Sequence, residues 1–318
     1  MTTHIYSPSL RLPGPYAATI GFFDGLHLGH AHLLHQLQAV SADRHLQTLV
    51  VTFDRHPRQT LQPSFRPQLL TTLDEKQQLL AQTGIDALIV LPFTADLASL
   101  SAHDFMSQVL LDHLGVNTLL TGYDNRFGAR AAQLSDIAPF DDYQTYGKTI
   151  GLDVLLAEPF CLGGDTISSS RVRRLLADGL VADAVHCLGR PYSLTGNVVH
   201  GEQIGRTLGF PTANIQPDDP LKMIPKPGVY AVTCHMSPVT LHPLPALMNI
   251  GTRPTFDGQA LTLEVHLLDF TGDLYGQHLE VAFVERLRDE QSFPSSEALT
   301  QQMRLDADAA RRIFTLNS

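Results

Sequence analysis

Ten residues near the amino terminus, GFFDGLHLGH (21–30), place two imidazoles, His27 and His30, three positions apart among glycines and an aspartate. They follow the apolar run AATI and lead into HAHLLHQLQAV (30–40), where Leu33, Leu34, Leu37 and Val40 keep helical spacing. The pair therefore falls where a strand passes into a helix, with both side chains on one face. A helix start offers unpaired N–H groups and partial positive charge, which favour an anion. Glycines let backbone approach such a ligand closely. Two imidazole donors added there would hold phosphoryl oxygens. A histidine-rich helix start without chemistry fits the pair equally well, since the chain has 15 histidines.

Three further stretches have residue types suited to phosphate chemistry. GDTISSSRVRRLL (164–176) sets Ser168, Ser169 and Ser170 at a helix start, followed by Arg171, Arg173 and Arg174. Hydroxyls, a helix N-terminus and guanidinium groups make an anion clamp, and also an ordinary serine cap with a solvated basic face. GEQIGRTLGFPTANI (201–215) is not a Walker A loop, because only three residues separate Gly201 from Gly205 and Arg206 follows. It leaves a glycine-rich flap leading to Thr212 and Asn214, which share a face if extended. Their hydroxyl and amide oxygens are hard donors acceptable to Mg²⁺, although Pro-Thr-x-Asn is equally ordinary turn chemistry. In LTLEVHLLDF (261–270), Glu264 shares one strand face with Thr262 and His266. That face is either solvated or turned to a pocket, where the carboxylate would serve as a base for an alcohol substrate.

These residues must be held by two domains, the prior for 318 residues. A hydrophobic fraction of 43% suffices for packed cores, and no apolar stretch approaches the length of a membrane span. A net charge of −10 argues against nucleic-acid and anionic-membrane partners. The opening MTTHIYSPSLRLPG lacks a signal-peptide layout. Three dispersed cysteines, Cys161, Cys187 and Cys234, fit a reducing cytoplasm and argue against a zinc site. From 17 to 122, strands (17–23, 47–53, 87–93, 117–122) alternate with helices (30–40, 74–84, 101–115), the pattern of a parallel sheet covered on both faces. Ligands in such sheets sit at the carboxyl ends of strands, where GFFDGLHLGH and VTFDRHPR both lie. Beyond about residue 190, short alternating strands separated by turns predict an antiparallel sheet or small barrel, closed by a serine-capped helix. The expected domains are 1–187, Rossmann-like α/β, and 188–318, a small antiparallel β-barrel with a C-terminal helix. Nothing in the chain recommends an oligomeric scaffold, so a monomer or weak homo-oligomer is expected.

The motif G-x-F-D-G-x-H-x-G-H, with I-S-S-S-x-V-R at the end of the α/β half, resembles the class I nucleotidylyl transferases. More narrowly it is similar to the FAD synthetase module of bacterial bifunctional riboflavin kinase/FAD synthetases. VTFDRHPR (51–58) resembles that family's T-F-x-x-H-P loop, and GYDNRFG (122–128) its G-x-D-x-x-F-G segment, with Asn125 standing where the family has an aromatic. The resemblance implies adenylyl transfer from ATP to FMN, with release of pyrophosphate. It implies that Gly21, Phe22, Asp24, Gly25 and Gly29 surround ATP with His27 and His30, and that Ser168, Ser169 and Arg171 serve the β/γ end. His56 would cover the phosphates, and Asp124, Asn125 and Phe127 would lie at the flavin.

The carboxyl half is similar to bacterial riboflavin kinase through GNVVHGEQIGRTLGFPTANI, PKPGVYAV (225–232), MNIGTRPTF (248–256), LEVHLLDFTGDLYG (263–276) and LRDEQSFPSSEAL (287–299), in order and spacing. This resemblance implies MgATP-dependent phosphorylation of riboflavin. Thr212 and Asn214 would hold Mg²⁺, Glu264 would be the base, and Gly201, Gly205 and Arg206 would form the flap over the nucleotide. Arg288, Glu290 and Phe293 would border the isoalloxazine.

Overall fold

The uninterrupted apolar runs of the first half become strands buried on both faces, because helices cover the sheet from either side. In the computed structural model, which describes residues 1–122, 127, 139–200, 209–236, 242–255, 258–272 and 274–316, they are β2 (Tyr16–Ile20), β3 (Gln47–Phe53), β4 (Ala87–Leu91) and β5 (Val116–Thr121), flanked by the more exposed edge strands β1 (Thr2–Ile5) and β6 (Asp153–Leu156). The six pair in parallel in the order β1-β4-β3-β2-β5-β6. Between them run α1 (Leu28–Asp43), α2 (Pro57–Leu61), α3 (Leu73–Ala81), α4 (Ala95–Ser99), α5 (Ala102–Asp104) and α6 (Pro139–Ile150). Helix α5 continues as a π-helical stretch, Phe105–His113.

Alternation within each strand divides the core into two layers. Ala18, Ile20, Leu49, Val51 and Ile89 meet Met106, Val109 and Leu110 on one side. Ala17, Val50, Leu88 and Val90 meet Leu34, Leu37 and Leu80 on the other. Connections run in opposite directions from β2, toward β3 on one side and β5 on the other, so the carboxyl end of β2 is the sheet's topological switch point. GFFDGLHLGH begins there.

Met1–Ser169 form one compact unit, which includes the short β7–β8 hairpin (Cys161–Leu162 and Asp165–Thr166), and Ser170–Ser318 form a second. Helices α7 (Ser169–Asp178) and α8 (Val181–Leu188) fold with the second unit. The Lys226 N–H donates to the Leu176 carbonyl at 3.0 Å, and α8 packs on the last barrel strand. The change in sequence texture comes later, at Gly189, which ends α8 with φ +73°.

The alternating strands of the second unit, β9 (Ser193–Val199), β10 (Ala213–Pro217), β11 (Gly228–His235), β12 (Leu244–Thr255), β13 (Gly258–Leu267) and β14 (His278–Arg288), close into an antiparallel barrel in the order β10-β13-β12-β11-β14-β9. Tyr230, Val232, Met248, Ile250, Val265, Val281 and Phe283 are buried. Outside the barrel, Val229, Ala231 and Leu247 pack under Ala307 and Ala310 of α9 (Ser296–Leu316). As the sequence suggested, a serine begins that helix, with the Ser295 hydroxyl accepting from the Ala298 N–H. Among the described residues no helix is long and apolar enough to cross a membrane.

One close approach makes the first unit sensitive to a single methyl. A Cβ at Gly147 on α6 would collide with the Leu152 carbonyl and lie 2.8 Å from Val154 Cγ2. Gly147→Ala should destabilise the protein by about 1–3 kcal/mol, seen as a drop of roughly 2–4 °C per kcal/mol in its thermal transition.

Candidate active sites

The loop after β2 is shaped by unusual backbone. Phe23, Gly25 and Leu26 all have positive φ (52°, 81° and 36°), a region that L side chains avoid. Asp24, 3% exposed, holds the turn in place. Its Oδ1 accepts from the backbone N–H groups of Leu70 and Thr71 at 2.9 and 3.0 Å, and from the Thr71 hydroxyl at 3.3 Å. Thr71 Oγ1 in turn accepts from the Gly25 N–H at 3.0 Å. The Ser169 hydroxyl donates to the Asp24 carbonyl at 2.8 Å, bringing the serine stretch to the same loop.

His27 is the N-cap of α1, its Nδ1 accepting from the His30 N–H at 3.3 Å. The two rings stack with centroids 3.7 Å apart and planes 17° from parallel. Gly29 permits this packing, because a Cβ there would lie 3.1 Å from the His27 ring and 3.2 Å from the Ile167 carbonyl. His30 Nδ1 is sealed from solvent and, among the described residues, has no hydrogen-bond partner. Burial, then the neighbouring His27 and Lys76, hold the His30 imidazole well below its usual range, so it is neutral at pH 7. His56 caps α2 through Nδ1 and sets its ring edge-on to Phe22, centroids 5.0 Å apart.

Lys76, on α3, was not singled out by sequence reasoning, which takes a lysine on an amphipathic helix for a solvated residue. It is 1% exposed, with Nζ 4.0 Å from the Phe22 ring centroid and 3.5 Å from Thr52 Oγ1. Desolvation pulls its pKa down to about 8, against the opposing pull of Asp24 and Asp54. The only advance signal was the capping box at Thr72–Glu75, which fixes where α3 starts.

In the barrel, register brings distant residues into one row. Asn214 pairs with Glu264, Glu264 with Asn249, Asn249 with Val229, and Val229 with Arg288. Directly paired residues share a sheet face, and their strand neighbours Ala213, Val265 and Met248 are buried inside. The row therefore faces outward, toward a cleft of about 350 Å³ between barrel and α9, lined among others by Thr212, Asn249, Glu264, Glu290 and Phe293. Arg288 is fixed there by Asp306 of α9, whose carboxylate accepts from Nε at 3.0 Å and from Nη2 at 2.8 Å. Gln302 donates to the same carboxylate at 2.9 Å. A second cavity of about 550 Å³, lined by Pro211, Phe270, Leu274 and Tyr275, shares Thr212 with the first.

Of the residues named from sequence, Gly21, Phe22, Asp24, Gly25, His27, Gly29, His30, Ser168 and Ser169 lie in the first unit around the β2–α1 turn and the start of α7. Arg171 follows on α7. Phe127 packs on the opposite layer, stacked on Tyr143 at 4.3 Å and beside Phe105. Thr212, Glu264, Arg288, Glu290 and Phe293 converge on the 350 Å³ cleft, and Asn214 joins them through register. Asp124, Asn125, Gly201, Gly205 and Arg206 lie outside the described residues. Asn249 and Asp306 escaped sequence reasoning, because strand register and helix docking, not local pattern, deliver them.

Removing the Asp24 carboxylate would leave two buried N–H groups and a hydroxyl without their acceptor. Asp24→Ala should cost about 2–4 kcal/mol, read as a lowered midpoint in urea unfolding.

Known proteins match both halves. The FAD synthetase family matches residues 11–171 and the riboflavin kinase family residues 188–314. A bifunctional riboflavin kinase/FMN adenylyltransferase of Escherichia coli (strain K12) is 42% identical over 300 residues, covering 94% of this chain and 92% of that protein. The protein of that name from Listeria monocytogenes is 36% identical over 299 residues, covering 93% and 91%. A crystal structure described as a macrolide-efflux protein from Streptococcus pneumoniae superposes with a TM-score of 0.88 at 28% identity, over 98% of this chain and 99% of that one. With two family regions in sequence and such relatives along nearly its whole length, the chain belongs to the bifunctional riboflavin kinase/FMN adenylyltransferase family.

Proposed function

We propose that residues 188–318 phosphorylate the ribityl 5′-hydroxyl of riboflavin and that residues 1–187 adenylylate the resulting FMN. For the kinase, the supporting observation is Glu264 in the wall of the 350 Å³ cleft, cross-strand from Asn214, with Thr212 common to both cavities. Riboflavin takes the cleft beside Arg288, Glu290 and Phe293, and the nucleotide takes the larger cavity. Glu264 accepts the hydroxyl proton as the oxygen bonds to the γ-phosphorus and the bond from that phosphorus to ADP breaks. Arg288, locked by Asp306, keeps its place without reorganising.

The donor set suits Mg²⁺. Thr212 and Asn214 offer neutral hard oxygens, which Mg²⁺ accepts alongside nucleotide oxygens and water. Bound there, the ion would neutralise charge on the transferring phosphates.

For the adenylylating half, the stacked His27–His30 pair at the switch point carries the reading. A phosphate ester with its second pKa near ~6 is already an anionic nucleophile at pH 7, so no base is needed. An FMN phosphate oxygen bonds to the α-phosphorus of ATP, and the bond to pyrophosphate breaks. His27 Nδ1 accepts the His30 backbone N–H, which leaves Nε2 as the ring's donor for a phosphoryl oxygen. Asp24 braces the loop, while Ser168 and Ser169 serve the leaving end.

Purified protein with riboflavin, ATP and Mg²⁺ should form FMN and then FAD; accumulation of FMN alone would refute the assignment of the first half. Glu264→Gln should lower riboflavin phosphorylation about 10²–10⁴-fold and leave adenylylation of supplied FMN intact. His30→Ala should lower adenylylation about 10²–10³-fold and leave the kinase intact. Loss of both activities from either change would refute the division of labour.

A further inference from the structure

Lys76 is the feature of the first half that its proposed chemistry does not use. A buried ammonium ordinarily pairs with a carboxylate. Among the described residues Lys76 has none in ion-pairing contact. It lies on the face of the Phe22 ring and donates to Thr52 Oγ1, while the Thr52 hydroxyl donates to the Phe22 carbonyl at 3.2 Å. One lysine thus grips Phe22 twice, through its ring and, by way of Thr52, through its backbone. The nearby carboxylates have other commitments. Asp24 Oδ1 binds two backbone N–H groups. Asp54 takes the Phe93 N–H on Oδ1 and the Arg55 guanidinium on Oδ2. The lysine charge therefore stands behind the β2–α1 loop, in surroundings of low dielectric where it acts at range.

We propose that Lys76 is a positioning residue of the adenylylating site, bracing Phe22 from behind and placing a fixed positive charge under the loop that receives the ATP phosphates. This rests on the reading of the first half as the FMN-adenylylating site. At 1% exposure the ammonium does not touch the nucleotide; it acts through Phe22 and through its field. The charged and titratable groups around it are Asp24 from the β2–α1 loop, His27 and His30 from α1, Asp54 and His56 from the segment after β3, and Asp74 and Glu75 from its own helix. With a pKa of about 8 the lysine is charged at pH 7 and loses its proton as pH rises past that value. His30 is already neutral there, and phosphate esters finish titrating near ~6.

The test compares wild type, Lys76→Met and Lys76→Arg in FMN adenylylation, with riboflavin phosphorylation by the same preparation as a folding control. Lys76→Met should raise the KM for ATP by about tenfold or more with the KM for FMN within about threefold, the split expected for a lost phosphate interaction. Lys76→Arg should stay within about threefold of wild type at pH 7, since guanidinium keeps the charge. In wild type the KM for ATP should climb between pH 7.5 and 9, around the lysine pKa of about 8, and in Lys76→Arg it should not. An unchanged ATP KM in Lys76→Met, an equal rise in both KM values, or an alkaline climb that persists in Lys76→Arg would each overturn the proposal. If Lys76→Met fails to fold, the alkaline profile of Lys76→Arg decides. Absence of FMN adenylylation in wild type would instead strike the reading on which the proposal rests.

Discussion

A carboxylate taken out of water must have its lone pairs satisfied, and Asp24 meets that demand with backbone donors from a segment 46 and 47 residues away. That tie governs the first site. It fixes the left-handed turn between Phe22 and His27, and it pins the entry to α3. Because α3 starts at a set place, Lys76 arrives under Phe22. Strain in the turn is tolerated because its surroundings leave no other conformation. The histidines are thus the visible end of a chain of constraints that begins at a buried acid.

The second site obeys a different rule. A closed barrel has one register for every strand, so cross-strand rows are fixed once closure is achieved. Asn214, Glu264 and Asn249 are neighbours for that reason, although 15 to 50 residues separate them in the chain. The C-terminal helix then supplies what the barrel lacks, an apolar roof and the Asp306 carboxylate that orients Arg288. A nearly buried acid with a bidentate guanidinium partner favours a single side-chain geometry more than it adds stability.

Much of this was legible beforehand. The run QTLVVTF became β3 residue for residue, since a continuous apolar strand allows few alternatives. The helix expected over 30–40 is there and extends at both ends, from Leu28, where His27 caps it, to Asp43. The polar edge strand β1 was missed because its burial is slight and its pairing with β4 is a long-range matter. Lys76, Asn249 and Asp306 were missed for a related reason. Local pattern sorts residues into faces, but which face is roofed, and by what, is decided by packing. The limit between compact units falls at Ser169, ahead of the shift in composition, because α7 and α8 have ordinary helical sequences and reveal only in three dimensions which half they accompany.

The two halves also differ in how they end. The parallel sheet stops at β1 and β6, four residues each, with Ile5 72% and Leu156 48% exposed on them, whereas the barrel has no terminal strand. Unpaired strand edges are templates for foreign strands, and short ones are weak templates. In the folded protein a foreign strand therefore finds weak, four-residue templates at β1 and β6 and none on the barrel.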